Sequence, residues 1–532
     1  MRPFFRTLTG VLAAGLFAGA LVPGVATADA GTPGEGPAAQ GAQGAQGTQG
    51  IQGIQGIQGI QGIQGIQAVI DWGPCTQDAS AECGTLRLPV DWARPSGEKF
   101  DLAVARRKAT DPGRRIGVLL VNPGGPGDSG VDFAVRRAPA HFSADIQETF
   151  DIVGFDPRGV GASAPVRCSQ ELLDQRPSAY PRNQAEFAQL AEFNRTLRQD
   201  CRRHSGPVFD HADTLSVIRD MDAIREALGE KKISFFGHSY GTLLGLQYAE
   251  QYGDRIRSMA LTANIDHSLG LREFLVSSAV TAEDSFQQFV AWCERTSSCA
   301  LYGRDVTAVW DQLLARADRG EIRDPADPDQ VLTANAITLV AFGRFYGPSW
   351  DALATYVAQL DAQKPQTQTA AQTQAAAQAQ AQESEPRTTA EPFHAVFCQD
   401  WRFRPKNYRE FTELTAAELR AAPHMRGSPR VHAATAGCVG WPDEVNNPQH
   451  RLRITEAPKI LMLHSMHDPA NNYSWATNVH RQTRRTTVLL PYEGAGHSVY
   501  GRTDCTRNAV DAYLTELKLP DVGSRCAPAT AN

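Results

Sequence analysis

The sequence lacks the marks of several large function classes. None of its ten cysteines forms a Cys-x-x-Cys pair, which removes the usual zinc and dithiol spacings. It carries no stripe of Lys and Arg and no aromatic–basic ladder, and its formal charge is −6, so no nucleic-acid partner is expected. No glycine-rich loop ends in Gly-Lys-Ser/Thr, which excludes a phosphate loop of that type. Beyond the N-terminal segment, no apolar run approaches the ~20 residues that a membrane-spanning helix needs. Nothing calls for a metal or an organic cofactor. The nine Gly-x-Gln triplets of 41–67 contain no proline, so a collagen-like triple helix is not expected there.

What is present points to an exported globular protein. The chain has 532 residues, 42% of them hydrophobic, enough for a large core plus an inserted or appended second unit. Arg2 and Arg6 precede an apolar run from Leu8 to about Val22, and Pro23-Gly24 breaks it. Ala26-Thr27-Ala28 then places small residues at −3 and −1, so residues 1–28 read as a signal peptide cleaved before Asp29. No Cys closely follows the run, which argues against a lipoprotein. Residues 29–68, with the Gly-x-Gln repeat, are expected to be disordered. All ten cysteines lie beyond: Cys75, Cys83, Cys168, Cys201, Cys293, Cys299, Cys398, Cys438, Cys505 and Cys526. An even count in an oxidising compartment predicts disulfides. Pairing neighbours in sequence order closes five local loops and is the least costly scheme, although spacing alone leaves the connectivity open.

Short apolar runs alternate with helical patterns. Ile116–Val121, Phe150–Phe155, Lys232–Phe236, Ser258–Leu261, Lys459–Leu463 and Thr487–Leu490 read as strands, and 215–228 reads as an amphipathic helix. This rhythm predicts an α/β class chain with a mostly parallel sheet flanked by helices. Residues 268–451 interrupt it with a mainly helical pattern. They are read as a cap, with a Gln/Ala/Thr-rich insertion at 363–391, between core segments 69–267 and 452–532.

The chemistry concentrates at the strand ends. Gly237-His238-Ser239-Tyr240-Gly241 follows a strand and precedes a helix, the context that a nucleophile elbow requires. Such a turn strains the serine backbone and lifts its hydroxyl above the sheet, near a helix N-terminus that favours an oxyanion. His238 reads as a packed neighbour rather than the base, because side chains diverge on a sharp turn. A serine nucleophile needs a base, and the base needs a carboxylate. Asp468 follows the strand at 459–463 and His497 follows the strand at 487–490, so the order Ser239, Asp468, His497 is that of the α/β-hydrolase fold. His464 and His467 read as loop histidines. Asn122-Pro123-Gly124-Gly125-Pro126-Gly127-Asp128-Ser129-Gly130 directly follows the first strand. The backbone N–H of Gly125 is expected to join that of Tyr240 in an oxyanion hole.

Together, Asn-Pro-Gly-Gly-Pro-Gly-x-Ser-Gly at 122–130, Phe-Asp-Pro-Arg-Gly-Val-Gly-x-Ser at 155–163 and Gly-x-Ser-Tyr-Gly-Thr at 237–242 resemble the secreted bacterial tripeptidyl aminopeptidases, relatives of the prolyl aminopeptidases. Trp72, Cys75 and Cys83, Phe397-Cys398, Cys438-Val439-Gly440-Trp441-Pro442 and a C-terminal region from Gly496-His497 to Cys526 fit the same family. The resemblance spans about 69–526. It implies a serine exopeptidase acting on peptides with a free N-terminus, with Gly125 and Tyr240 lining the oxyanion hole; a monomer is expected. Two places depart from the family pattern. Thr262-Ala263 stands where Asp-Gly is usual, and Asn471-Asn472 follows Asp468-Pro469-Ala470 where Thr-Pro is common. An exopeptidase also needs a carboxylate for the substrate ammonium, and Glu273, Glu283 and Asp284 in the early cap are candidates. A secreted esterase using the same three residues on small esters is the alternative.

Overall fold

The computed structural model describes residues 69–364 and 387–529. The signal-peptide and Gly-x-Gln readings, and most of the Gln/Ala insertion, lie outside the described residues. Among the described residues, eleven strands run in chain order: β1 (Gly73–Pro74), β2 (Glu82–Pro89), β3 (Lys99–Arg107), β4 (Gly117–Asn122), β5 (Phe150–Phe155), β6 (Arg167–Ser169), β7 (Ile233–His238), β8 (Ile256–Thr262), β9 (Thr388–Ala390), β10 (Ile460–His467) and β11 (Thr487–Ala495). Nine build one sheet in the order β1-β2-β3-β5-β4-β7-β8-β10-β11. From β5 to β11 every pairing is parallel, whereas β1, β2 and β3 join antiparallel at one edge.

The parallel strands are apolar throughout because helices cover both faces. Every residue of β4 and β5 is buried. Their side chains alternate between two cores, with Val118, Leu120 and Val153 on one face and Leu119, Val121 and Ile152 on the other. The first face is covered by helices Thr214–Ala227 and Tyr240–Tyr252, through residues such as Ile218, Met221 and Leu243. The second is covered by helix Asp504–Glu516, through Val510, Tyr513 and Leu514. The antiparallel strands β1–β3 escaped the sequence reading because they form a half-exposed edge without a continuous apolar run; β2 alternates exposed Thr85 and Arg87 with buried Leu86 and Leu88.

The segment 268–451 is helical, with helices Leu271–Arg295, Val306–Asp318, Ala334–Tyr346, Trp350–Asp361, Pro392–Asp400, Tyr408–Ala421 and Pro429–Ala436. It divides its packing. Phe286, Trp310, Leu313, Ile337, Phe342 and Leu353 belong to a core of their own. Phe397, Trp401, Phe403 and Trp441 join the core beside Tyr240 and Leu243. The cysteines pair as neighbours in sequence: 75–83, 168–201, 293–299, 398–438 and 505–526. The longest loop they close, Cys398–Cys438, holds helices 408–421 and 429–436 against the main core.

A buried ion pair fixes one end of the sheet. Arg158 donates to Asp220 through Nε (2.7 Å) and Nη2 (2.6 Å), and both side chains are fully buried. Arg158 Nη1 also donates to Val90 O (2.6 Å), and Trp92 Nε1 donates to Asp220 Oδ1 (2.9 Å). Burial pushes the Asp220 carboxyl up while Arg158 pulls it back. Arg158→Met leaves this carboxylate uncompensated and is expected to cost about 3–5 kcal/mol, read as a lower urea midpoint at constant slope. Arg158→Met/Asp220→Leu should cost less than the single change, because no charge is then stranded.

Candidate active site

The C-terminal ends of β4, β7, β10 and β11 carry the residues singled out for chemistry. At the end of β7, Ser239 has φ 53° and ψ −120°, a conformation that a non-glycine residue holds only where the surroundings enforce it. The enforcement is visible. Ser239 N–H donates to Thr262 O on β8 (2.9 Å), and helix Tyr240–Tyr252 starts at the next residue. The flanking glycines permit the turn: a β-carbon on Gly237 would lie 2.6 Å from Gly241 O, and one on Gly241 would lie 2.6 Å from Asn122 O. Gly124, which sequence reasoning passed over, is as tightly bound in, because its β-carbon would meet His238 O at 2.5 Å and Ser239 Cβ at 3.0 Å. The loop after β4 therefore lies directly on the elbow.

Asp468 directly follows β10 and is 2% exposed. Its Oδ1 accepts from the backbone N–H groups of Ala470 (2.8 Å) and Asn471 (3.0 Å), and both its oxygens face His497 Nδ1 at 2.8 and 2.9 Å. His497 lies two residues beyond β11. Its ring meets the His238 ring edge-on at 4.7 Å, which places it against the elbow. Among the described residues, neither Ser239 Oγ nor His497 Nε2 has a hydrogen-bond partner; such contacts often tighten only when substrate is bound.

The expected oxyanion donors are also unengaged. Gly124 N–H is taken by Asn122 Oδ1 (3.0 Å), whereas the N–H groups of Gly125 and Tyr240 have no acceptor among the described residues. The Phe-Asp-Pro-Arg-Gly-Val-Gly-x-Ser segment supports this loop rather than the reaction. Asp156 accepts from Ser129 Oγ and from the N–H groups of Val131 (3.1 Å) and Ala162 (2.9 Å), which ties the glycine loop to the end of β5.

The strands β10 and β11 run further than their apolar runs suggested, so His464 and His467 are strand residues and not loop histidines. His464 is fully buried; its Nδ1 accepts from Asn264 N–H (2.9 Å) and its Nε2 donates to Asn471 O (2.9 Å). Burial pushes its basicity down, consistent with a neutral ring that buttresses the Asp468 turn. The two departures from the family pattern meet here: Asn471 Nδ2 donates to Ala263 O (2.7 Å), and the Thr262 hydroxyl contacts His238 Nδ1 (2.9 Å).

Of the carboxylates considered for a substrate ammonium, Glu283 accepts the N–H groups of His424 (3.1 Å) and Met425 (3.2 Å) and is committed to holding that turn. Asp284 pairs with His467 Nδ1 (2.9 Å), and Glu273 is exposed on its helix. Two residues that sequence reasoning missed bind the helical segment to the site. Tyr346, the last residue of helix 334–346, accepts the His497 N–H at its carbonyl (2.8 Å) and presents its ring edge-on to that histidine at 4.9 Å. Asp400 is buried and accepts from Tyr240 Oη (2.7 Å), from Thr214 N (2.8 Å) and Oγ1 (2.7 Å), and from Asn447 Nδ2 (3.0 Å). Burial pushes its carboxyl up to about 6. The only hint in the sequence was its place two residues after Cys398.

A family model described as alpha/beta hydrolase fold matches residues 117–500. Serine protease Hip1 of Mycobacterium tuberculosis is 30% identical over 488 residues, covering 86% of this chain and 91% of the relative. Tripeptidyl aminopeptidase of Streptomyces lividans is 28% identical over 477 residues, covering 87% of each. Carboxylesterase B of Mycobacterium tuberculosis is 31% identical over 477 residues, covering 86% of this chain and 90% of the relative.

Proposed function

The chain belongs to the α/β-hydrolase fold family, and on that footing we propose that it is a secreted serine exopeptidase that hydrolyses peptide bonds near a free N-terminus through an acyl-enzyme on Ser239. The observation that carries the reading is the strained Ser239 turn with His497 lodged beside it and hydrogen-bonded to buried Asp468. Relatives named serine protease and tripeptidyl aminopeptidase, matched over most of their length, support peptide rather than ester as the substrate. Five disulfides fit an oxidising destination, as does the signal-like N-terminus.

In the first half-reaction His497 takes the Ser239 proton as the hydroxyl oxygen attacks the scissile carbonyl. Asp468 holds the imidazole with Nδ1–H toward it, leaving Nε2 free as base, and stabilises the imidazolium. The carbonyl oxygen becomes an oxyanion between the Gly125 and Tyr240 N–H groups, each donor worth about 3 kcal/mol in the transition state. His497 then protonates the leaving amine. Water, deprotonated by the same histidine, cleaves the acyl-enzyme and frees Ser239.

The relative named carboxylesterase B favours a second reading, hydrolysis of small esters by the same residues. Purified protein presented with a free tripeptidyl anilide, its N-acetylated twin and a short-chain ester separates the two. The exopeptidase is expected to cleave the free anilide at least about tenfold faster than the blocked one, the effect of one charge-assisted contact. Equal rates on the twins would end the exopeptidase reading. Ester turnover without anilide turnover would establish the alternative.

A further inference from the structure

The reading above leaves one charged group at the site without a task. Asp128 occupies the unspecified position of Asn-Pro-Gly-Gly-Pro-Gly-x-Ser-Gly, three residues after Gly125. The turn between them is tight: a β-carbon on Gly125 would lie 2.9 Å from Asp128 N and 3.4 Å from Asp128 Cγ. The carboxyl group is thus carried on the same turn as the free Gly125 N–H. Both residues are exposed, in a loop whose neighbour Gly124 touches Ser239. Among the described residues the Asp128 side chain makes neither a hydrogen bond nor an ion pair. The cations that influence it are Arg137, already paired with Asp132, and Arg430, whose guanidinium lies 5.3 Å from the Tyr346 ring centre.

A carboxylate beside an oxyanion hole opposes the charge that develops there, unless a cation arrives with the substrate. The free carboxyl is in keeping with that requirement. Reach decides which cation. An ammonium three residues away from the attacked carbonyl lies up to roughly 10 Å off along an extended chain, whereas the Asp128 carboxyl is carried on the same turn as the Gly125 N–H. We propose that Asp128 is a cation subsite that selects substrates bearing an ammonium or guanidinium group within one residue of the scissile carbonyl. That group is either the α-ammonium of the attacked residue or the side chain of a Lys or Arg at or next to it. The inference rests on the Ser239 hydrolase reading and gives it a substrate class.

Two matched pairs test it, assayed with the wild type, Asp128→Asn and Asp128→Lys. One pair is N-acetyl-lysine and N-acetyl-norleucine p-nitrophenyl esters, which differ only in the side-chain cation. The other is leucine p-nitroanilide and its N-acetylated twin, which differ in the α-ammonium. In at least one pair the wild type should prefer the cationic member, and Asp128→Asn should cut that ratio of kcat/KM by about tenfold, as expected for one lost charge-assisted contact. Asp128→Lys should invert the ratio. The pair that responds identifies the source of the cation. A wild type without preference in either pair, or ratios within about twofold of wild type in both variants, overturns the proposal. The ester pair needs neither a free N-terminus nor amide cleavage, so failure of the exopeptidase reading is scored separately.

Discussion

Ser239→Ala should abolish turnover, with kcat falling about a million-fold while substrate still binds, because without the hydroxyl no acyl-enzyme can form. The size follows from the way the parts depend on each other. Every proton that His497 and Asp468 move belongs to a step through the acyl-enzyme on Ser239, so their contact at 2.8 Å is idle once the oxygen is gone. The remaining rate over water, of order 10³–10⁴, comes from the oxyanion donors and from binding. The backbone makes this variant informative. Alanine inherits the strained φ of 53° but removes only one oxygen, so the fold should be retained. Active-site titration with a phosphonate probe checks the point: the wild type should label at one equivalent per chain and the variant should not label. Labelling of Ser239→Ala, or retained kcat, would displace the nucleophile to another residue.

Asp468→Asn should lower kcat by about ten-thousand-fold with little change in KM, an effect on the base rather than on binding. The carboxylate accepts three contacts at once, from the N–H groups of Ala470 and Asn471 and from His497 Nδ1. An amide can supply one oxygen and one NH2. If the oxygen stays with the two backbone donors, the NH2 faces Nδ1 and forces the proton onto Nε2, where the ring can no longer act as a base toward Ser239. If the amide turns over, its NH2 faces two N–H groups and the turn loses its acceptor. The first outcome removes the tautomer that the reaction needs, and the second keeps it but breaks the turn that aims the side chain. Stopped-flow measurement of acylation against the wild type reads this directly, and the loss should fall on acylation and deacylation alike, since His497 serves both.

The candidate site was readable in the sequence where its residues sit in short segments. Gly-His-Ser-Tyr-Gly, with a strand before and a helix after, located Ser239, and chain order selected Asp468 and His497 over nearer acids and histidines. The parallel half of the sheet was readable for the same local reason, because strands buried on both faces have unbroken apolar runs. What escaped depends on contacts between distant segments. Tyr346 lies 151 residues before His497, in a helix whose pattern gives no sign that its end touches the base. Asp400 looks like an ordinary helical acid until folding brings Thr214, Tyr240 and Asn447 around it. Glu283 looked available for an ammonium because the sequence could not show the turn at His424–Met425 that uses its carboxylate. His464 and His467 were misplaced because β10 runs past its apolar part into His-Ser-Met-His, where burial comes from neighbouring turns and not from hydrophobicity.

The carbonyl of Tyr346 that receives the His497 N–H has a practical consequence. The loop carrying His497 is moored to a helix whose own core is largely separate from that of the sheet. A nick or substitution deep in that helical core, with no atom near Ser239, can unmoor the histidine and silence the enzyme while the sheet stays folded. Hydrolysis then serves as a gauge of how well the helical segment is seated, more sensitive than circular dichroism of the whole chain.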